Sequence, residues 1–489
     1  MTYPFTLIAP VLPHKRTDLL RLLEQMAREL DCNPVLPFDR LAGVHFGRVM
    51  LIDADSPGFA PLLSMETNFD GDESAHLADL AQTAGPGLAE LFSHCEGFTG
   101  NVLTFLQTHR KKTAAFYQGH PYRSREQILQ EQALQQNIRD FLDANTASLA
   151  GLTQRSIRER IQQHIKSQPD FAWAVQNRGL SAVGLWWQQH RGLLGIYATL
   201  ALLFSVAGAL MPDAPEFAVP TALRVWLCAL VGVLFAMLAT GIRKLSLRLV
   251  VAVVLAGLLS CLLRVGCAFL YAVLLAGGLG LILRYGVVSW WFWALNKREA
   301  ADKPERIVSE GERLPRLLAV EDLTTQNQLT HLVRLKPYSF RCRSLKVVLT
   351  AIDLLAKLLY NKGNLGGIPT IHFARWVLID NDQRLLFNSN YDGSWESYLG
   401  DFTDKAAEGL TAVWSHTINF PKACDLTEGG ARDEQRFKKW ARAHQLPTQV
   451  WYSAYPELSV PNVNNNSRIR DGLFCPLSDA ALARWFRRL

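Results

Sequence analysis

At 489 residues the chain is too long for one compact domain, and its 49% hydrophobic and 19% charged residues exclude a disordered or strongly polyelectrolyte protein. Fifty-one Lys plus Arg against 44 Asp plus Glu give a net charge of +7, but no compact basic run with interleaved aromatics appears. That excludes nucleic acid as the expected partner and leaves an anionic membrane surface.

The amino terminus, M-T-Y-P-F-T-L-I-A-P, has no basic segment followed by an apolar stretch and a cleavage site, so the first module is expected in the cytoplasm. The eight cysteines show no C-x-x-C pair and no zinc spacing, which argues against a disulfide or metal framework. Taken in chain order, the first module reads as a strand at Phe5 to Leu12, an amphipathic helix at Thr17 to Leu30 and a strand around Val44 to Asp53. A second strand at Leu62 to Asn68 ends in an Asp70-Gly71 turn, a helix covers Leu77 to Phe92, and a last strand contains Phe116 and Tyr117. Helical patterns at Arg123 to Asn145 and Thr153 to Lys166 are expected to link this module to the membrane.

The centre is strongly apolar. Gly192 to Met211, Val225 to Ile242, Leu249 to Leu263 and Val265 to Leu283 predict four transmembrane helices, and Arg191, Arg243, Lys244, Arg248 and Arg284 place both flanks inside. The expected location is therefore the bacterial inner membrane, multi-pass, with both termini cytoplasmic.

After the charged segment from Lys297 to Asn327, the first module returns. V-H-F-G-R-V-M-L-I-D at Val44 to Asp53 recurs as I-H-F-A-R-W-V-L-I-D at Ile371 to Asp380. T-N-F-D-G at Thr67 to Gly71 recurs as S-N-Y-D-G at Ser389 to Gly393, and G-L-A-E-L-F-S-H at Gly87 to His94 as G-L-T-A-V-W-S-H at Gly409 to His416. Phe116 and Tyr117 then match Trp451 and Tyr452. The β-α-β-β-α-β order is that of a ferredoxin-like module, which gives an α+β fold class: two such repeats forming an α+β barrel, separated by a four-helix transmembrane bundle. The boundaries follow as residues 1–122 for repeat 1, 123–190 for the helical connector, 191–296 for the membrane domain, 297–327 for a linker and 328–489 for repeat 2 with its C-terminal extension. The P-N-V-N-N-N-S run from Pro461 reads as an amide-rich loop.

Three histidines recur at equivalent positions: His45 with His372, His94 with His416, and His109 with His444. Imidazoles ligate haem iron and move protons near neutral pH, whereas a duplicated fold also duplicates histidines that only satisfy backbone groups. Strict strand alternation sets His45 and Arg48, or His372 and Arg375, on opposite faces unless a bulge intervenes. Asp70 and Asp392 read as turn residues.

These tandem modules, with S-Y-L-G-D-F, G-G-A-R-D-E and W-Y-S-A-Y-P in the second, resemble an uncharacterised bacterial membrane family and, distantly, the α+β barrel of dye-decolorising peroxidases and chlorite dismutase relatives. The resemblance implies a haem cofactor and peroxidase-like oxidation. In that reading Arg375 and Asp392 assist peroxide cleavage, His416 is the preferred axial ligand with His372 and His444 as alternatives, and Trp376, Trp395 and Trp414 line the site. The function expected is a membrane-tethered barrel that binds a hydrophobic or membrane-derived small molecule, with membrane lipid as a partner and homo-oligomers left open. The alternative is a non-enzymatic membrane sensor or scaffold.

Overall fold

The computed structural model describes residues 2–30, 32–53, 58–176, 187, 194–195, 286–303, 313–358 and 363–489. The chain divides into two units, Met1–Ser181 with Asp302–Leu489, and Ala182–Ala301. The second unit contributes one described helix of more than two residues, Ser289–Ala301.

Repeat 1 runs β1 (Thr2–Pro10), α1 (Arg16–Arg28), β2 (Val44–Ile52), β3 (Leu62–Asp70), α2 (Glu73–Thr83), α3 (Gly85–Phe92), α4 (Val102–Thr108) and β4 (Thr113–Gln118). Leu19, Leu22, Leu23 and Met26 recur at helical spacing along α1 and are its buried face. The helices α5 (Arg125–Ala144), α6 (Thr146–Leu149), α7 (Gln154–Lys166) and α8 (Ala172–Gln176) follow, and Ser124 caps α5 by accepting from the Gln127 amide at 3.1 Å. Beyond α9 (Ser289–Ala301) and α10 (Arg313–Leu318), repeat 2 runs β5 (Gln326–Arg334), α11 (Ser339–Leu358), β6 (Ile371–Ile379), β7 (Arg384–Asp392), α12 (Trp395–Lys405) and α13 (Ala407–Trp414). It closes with a small hairpin, β8 (Ala423–Cys424) and β9 (Glu428–Gly429), then α14 (Glu434–His444), β10 (Val450–Ser453), α15 (Val460–Phe474) and α16 (Asp479–Phe486).

The last strands are exchanged between the repeats. One antiparallel sheet has the order β1-β3-β2-β10 and the other β4-β6-β7-β5, so the final strand of each repeat extends the sheet of the other. Val450 to Ser453 pair with Val49 to Phe46, and Tyr117 pairs with Ala374. The two repeats thus form two four-stranded sheets, each completed by the last strand of the opposite repeat. Every residue of β2 and of β7 is buried, so these strands are covered on both faces, by helices on one side and by the facing sheet on the other.

The transmembrane expectation is corrected. Among the described residues no helix is long and apolar enough to cross a membrane, so the four-helix bundle and the multi-pass inner-membrane placement are not supported. Apart from residues 194–195, the four apolar stretches from which they were read lie outside the described residues. The helices read from sequence as a connector build a core with the last helices of the chain. Leu134 and Ile138 of α5 and Ile161 and Ile165 of α7 pack there with Ile469 and Leu473 of α15 and Leu482 and Trp485 of α16. Nor is the asparagine run a loop. Ser459 accepts from the Asn462 amide at 3.2 Å and Pro461 sits in the first turn, so α15 starts there, and contacts along the helix outweigh the low helix propensity of asparagine. Arg123 donates to Asn464 Oδ1 at 2.8 Å, and Asn465 donates to the Arg488 carbonyl at 2.9 Å.

Candidate functional site

The two halves of the first unit are held together by a pair of buried arginines related by the repeat. Arg48 donates from Nη1 to the Leu329 carbonyl, Thr330 Oγ1 and Asn388 Oδ1 at 3.1, 2.8 and 2.6 Å, and from Nη2 to the Ser389 carbonyl at 3.0 Å. Arg375 mirrors it on the first sheet, with Nη1 to the Phe5 carbonyl and Thr6 Oγ1 at 2.6 and 3.1 Å and Nη2 to the Thr67 carbonyl and Asn68 Oδ1 at 3.0 and 2.7 Å. Glu66 lies 3.8 Å from Arg375 Nε and accepts from Asn388. Burial pushes the Arg48 guanidinium down to about 10, still well above neutrality, so it stays charged at pH 7. Arg375, expected to assist catalysis, is spent on backbone and amide acceptors across the sheet interface.

Beside this clamp lie the recurring histidines. The ladder shifts register between Val44 and Phe46 and between Ile371 and Phe373, so each of His45 and His372 sits at a bulge. That irregularity lets both the histidine and the arginine three residues on reach the inter-sheet interface. His45 Nε2 is 3.0 Å from Asp70 and His372 Nε2 is 2.7 Å from Asp392. The two carboxylates also accept the first amides of α5 and α15, Arg125 N and Val460 N, each at 2.7 Å. Each aspartate is followed by a glycine at positive φ, Gly71 at +95° and Gly393 at +80°, where the chain turns. Burial alone would raise the Asp70 carboxyl, but bonds from His45, Arg125 N and Thr2 hold it below its usual value.

Two residues not singled out by motif complete this cluster, His120 and Tyr455, which occupy equivalent places after β4 and β10. The Tyr455 hydroxyl is 2.9 Å from His45 Nδ1 and 3.2 Å from His120 Nε2. The Tyr455 hydroxyl, which can both donate and accept, thus bridges the two imidazoles. Burial, and then the neighbouring His372 and His45, push His120 well below its ordinary value, so it is neutral. His45, His120, His372 and Tyr455 are all buried, and among the described residues the Nδ1 atoms of His120 and His372 have no hydrogen-bond partner.

The haem ligands expected from sequence do not converge. His372 stands at the Asp392 end of the second sheet, while His416 lies by the Leu335–Thr417 bridge at the opposite end, about 25 Å away for a nine-residue strand. His444 ends α14 and bonds the Trp440 carbonyl through Nδ1 at 2.8 Å, as His109 does with Phe105 at 3.2 Å. Burial, with Arg341 and Lys336 nearby, pushes His416 down to about 3, so it is neutral, and neither ring nitrogen has a partner.

A cavity of about 370 Å³ does open in repeat 2, between α11, β6, α12 and α13. Ile352, Leu355, Trp376, Phe402, Leu410, Val413 and Trp414 supply its apolar wall, and Lys405, Glu408 and Arg432 lie along it. Of the three tryptophans expected to line a haem site, Trp376 and Trp414 border this cavity. Trp395 is elsewhere, with Arg442 stacked on its ring at 3.7 Å. No histidine lines this cavity, and among the described residues no group of three or more His, Cys, Asp and Glu could hold a metal ion. The residues present do not fit a haem.

Repeat 1 has the same helices but fills the equivalent space. A Cβ on Gly87 of α3 would stand 2.1 Å from the Val35 carbonyl, because the segment after α1 presses onto the helix there. Asn33 holds that segment, donating to the Met26 carbonyl and accepting the Val35 and Leu36 amides at 2.9, 3.0 and 2.9 Å. Among the described residues nothing lies within 4 Å of the Cβ position on the equivalent Gly409 of α13. Gly87 and Gly409 are indistinguishable by motif, and only the packing of a distant segment separates them. Comparison with known proteins finds no family model, no curated protein and no solved structure that matches this chain.

Proposed function

We propose that the protein is a binding module for a small hydrophobic molecule, with the site in repeat 2 and repeat 1 serving as its packed counterpart. The observation that carries this reading is the asymmetry between the repeats: one fold, duplicated, with the helix-to-sheet space closed by Val35 in one copy and, among the described residues, open beside Gly409 in the other. A volume of about 370 Å³ falls within the range of small-molecule pockets, and a mostly apolar wall with few polar groups is the usual composition of such a site. Trp376 and Trp414 add large, rigid contact area.

The test is a titration of the full chain with N-phenyl-1-naphthylamine, an uncharged fluorescent probe, read by energy transfer from the tryptophans. Binding should saturate, and Gly409→Phe should weaken it at least about tenfold by placing a ring at the cavity wall, from a position where the Cβ meets nothing among the described residues within 4 Å. Equal affinity of the two proteins, with the variant melting normally, would refute the assignment.

A further inference from the structure

The segments that lead from β4 into α5 and from β10 into α15 meet at one joint, and titratable side chains fill it. His120 and Tyr455 lie on those two segments, and the Tyr455 hydroxyl is 2.9 Å from His45 and 3.2 Å from His120. The His120 ring is close to both sheets, its centroid 5.7 Å from that of His45 and 5.6 Å from that of His372. Each of these two neighbours has a carboxylate at its Nε2, Asp70 for His45 and Asp392 for His372. The same carboxylates accept the first amides of α5 and α15, so each ties the start of a helix to a sheet.

His120 is the imidazole of this joint that lacks an anion. Among the described residues it forms no ion pair, and the groups that face it are His45 from the first sheet, His372 from the second, Tyr455 from the segment after β10 and Arg123 from its own segment. Arg123 also bonds Asn464 of α15. A proton on His120, which is 1% exposed, would set a cation beside a guanidinium and two imidazoles with no carboxylate in contact, and a buried unpaired charge is strongly disfavoured. Burial, then His372, His45 and Arg123, accordingly pushes His120 below the usual histidine value of about 6.5. A histidine held neutral in the folded state contributes stability that is complete above that value and falls away as the pH drops below it.

We propose that this joint is an acid-sensitive latch: a proton taken up by His120 frees the starts of α5 and α15 from the sheets and uncovers the apolar core they share, while Arg48 and Arg375 keep the sheets paired. Leu134, Ile138, Ile469 and Leu473 are the side chains that opening would uncover.

Hydrogen exchange of the full chain, read peptide by peptide and corrected for the intrinsic effect of pH, tests this. Opening that takes up one proton at an unfolded-state histidine should increase about eightfold in α5 and α15 between about pH 7 and about pH 5.5. In His120→Gln, which keeps a donor toward Tyr455 and takes up no proton, the increase should stay below about twofold. His120→Asn, a smaller amide, carries the same expectation should the glutamine not be accommodated. An increase below about twofold in the unsubstituted protein would overturn the proposal. So would an equal increase in the variant, which would place the proton elsewhere, for instance on His164 beside Phe141 of α5. Exchange of α5 and α15 only in step with β2 and β7, the mark of global unfolding, would overturn it as well.

Discussion

Arg375→Ala is expected to destabilise the protein by about 3–5 kcal/mol, the usual cost of removing one partner from a buried charged network. The guanidinium satisfies two carbonyls, a hydroxyl and an amide oxygen of the first sheet from its place on the second. Its loss leaves those acceptors buried and unpaired and removes the cation 3.8 Å from Glu66. Arg375→Lys should recover little, because a single ammonium cannot span acceptors that the planar fork reaches from two nitrogens. Arg48→Ala should behave alike, since Arg48 makes the reciprocal contacts. Urea unfolding followed by circular dichroism is the measurement. A loss below about 1 kcal/mol, the range of an ordinary surface change, would return Arg375 to the pool of candidate functional residues.

The second large effect concerns the exchanged strands. Residues 1–181 and 302–489, produced separately, should each fail to melt cooperatively, and produced together they should copurify as a 1:1 complex. Repeat 1 without β10 leaves the outer edge of β2 unpaired, and repeat 2 without β4 leaves that of β6 unpaired. The packing of α5 and α7 against α15 and α16 would be lost in the same cut. Two fragments that are each monomeric and cooperatively folded would show that the exchange is dispensable.

Much of this arrangement was legible in the sequence, and the remainder had identifiable reasons not to be. The repeat and its β-α-β-β-α-β order follow from aligned motifs such as V-H-F-G-R against I-H-F-A-R. Strand exchange is not written locally: β4 and β10 carry the same F-Y or W-Y signature, and nothing in it names the partner strand. The arginine clamp had a faint signal in the hydroxyl and amide residues at Thr67, Asn68, Ser389 and Asn390, polar positions in otherwise apolar strands. The His45 and His372 bulges were stated as a condition, and the register shifts meet it. His120 and Tyr455 stood at equivalent positions but differ in type, so a search for identical recurring residues passed over them. Hydropathy alone suggested a membrane bundle, which the described helices do not support. The cavity was out of reach, because Gly87 and Gly409 stand in the same motif and nothing local to it says that Val35 lies against Gly87.

The most direct test of a ligand site in repeat 2 is photoaffinity labelling of the full chain with an uncharged alkyl diazirine, followed by peptide mapping. Labels should fall on α11, α12 and α13, at residues such as Leu355, Phe402 and Val413, and about a tenfold excess of N-phenyl-1-naphthylamine should suppress them. Labels on the corresponding helices α1, α2 and α3 of repeat 1, or spread over the surface without competition, would contradict it.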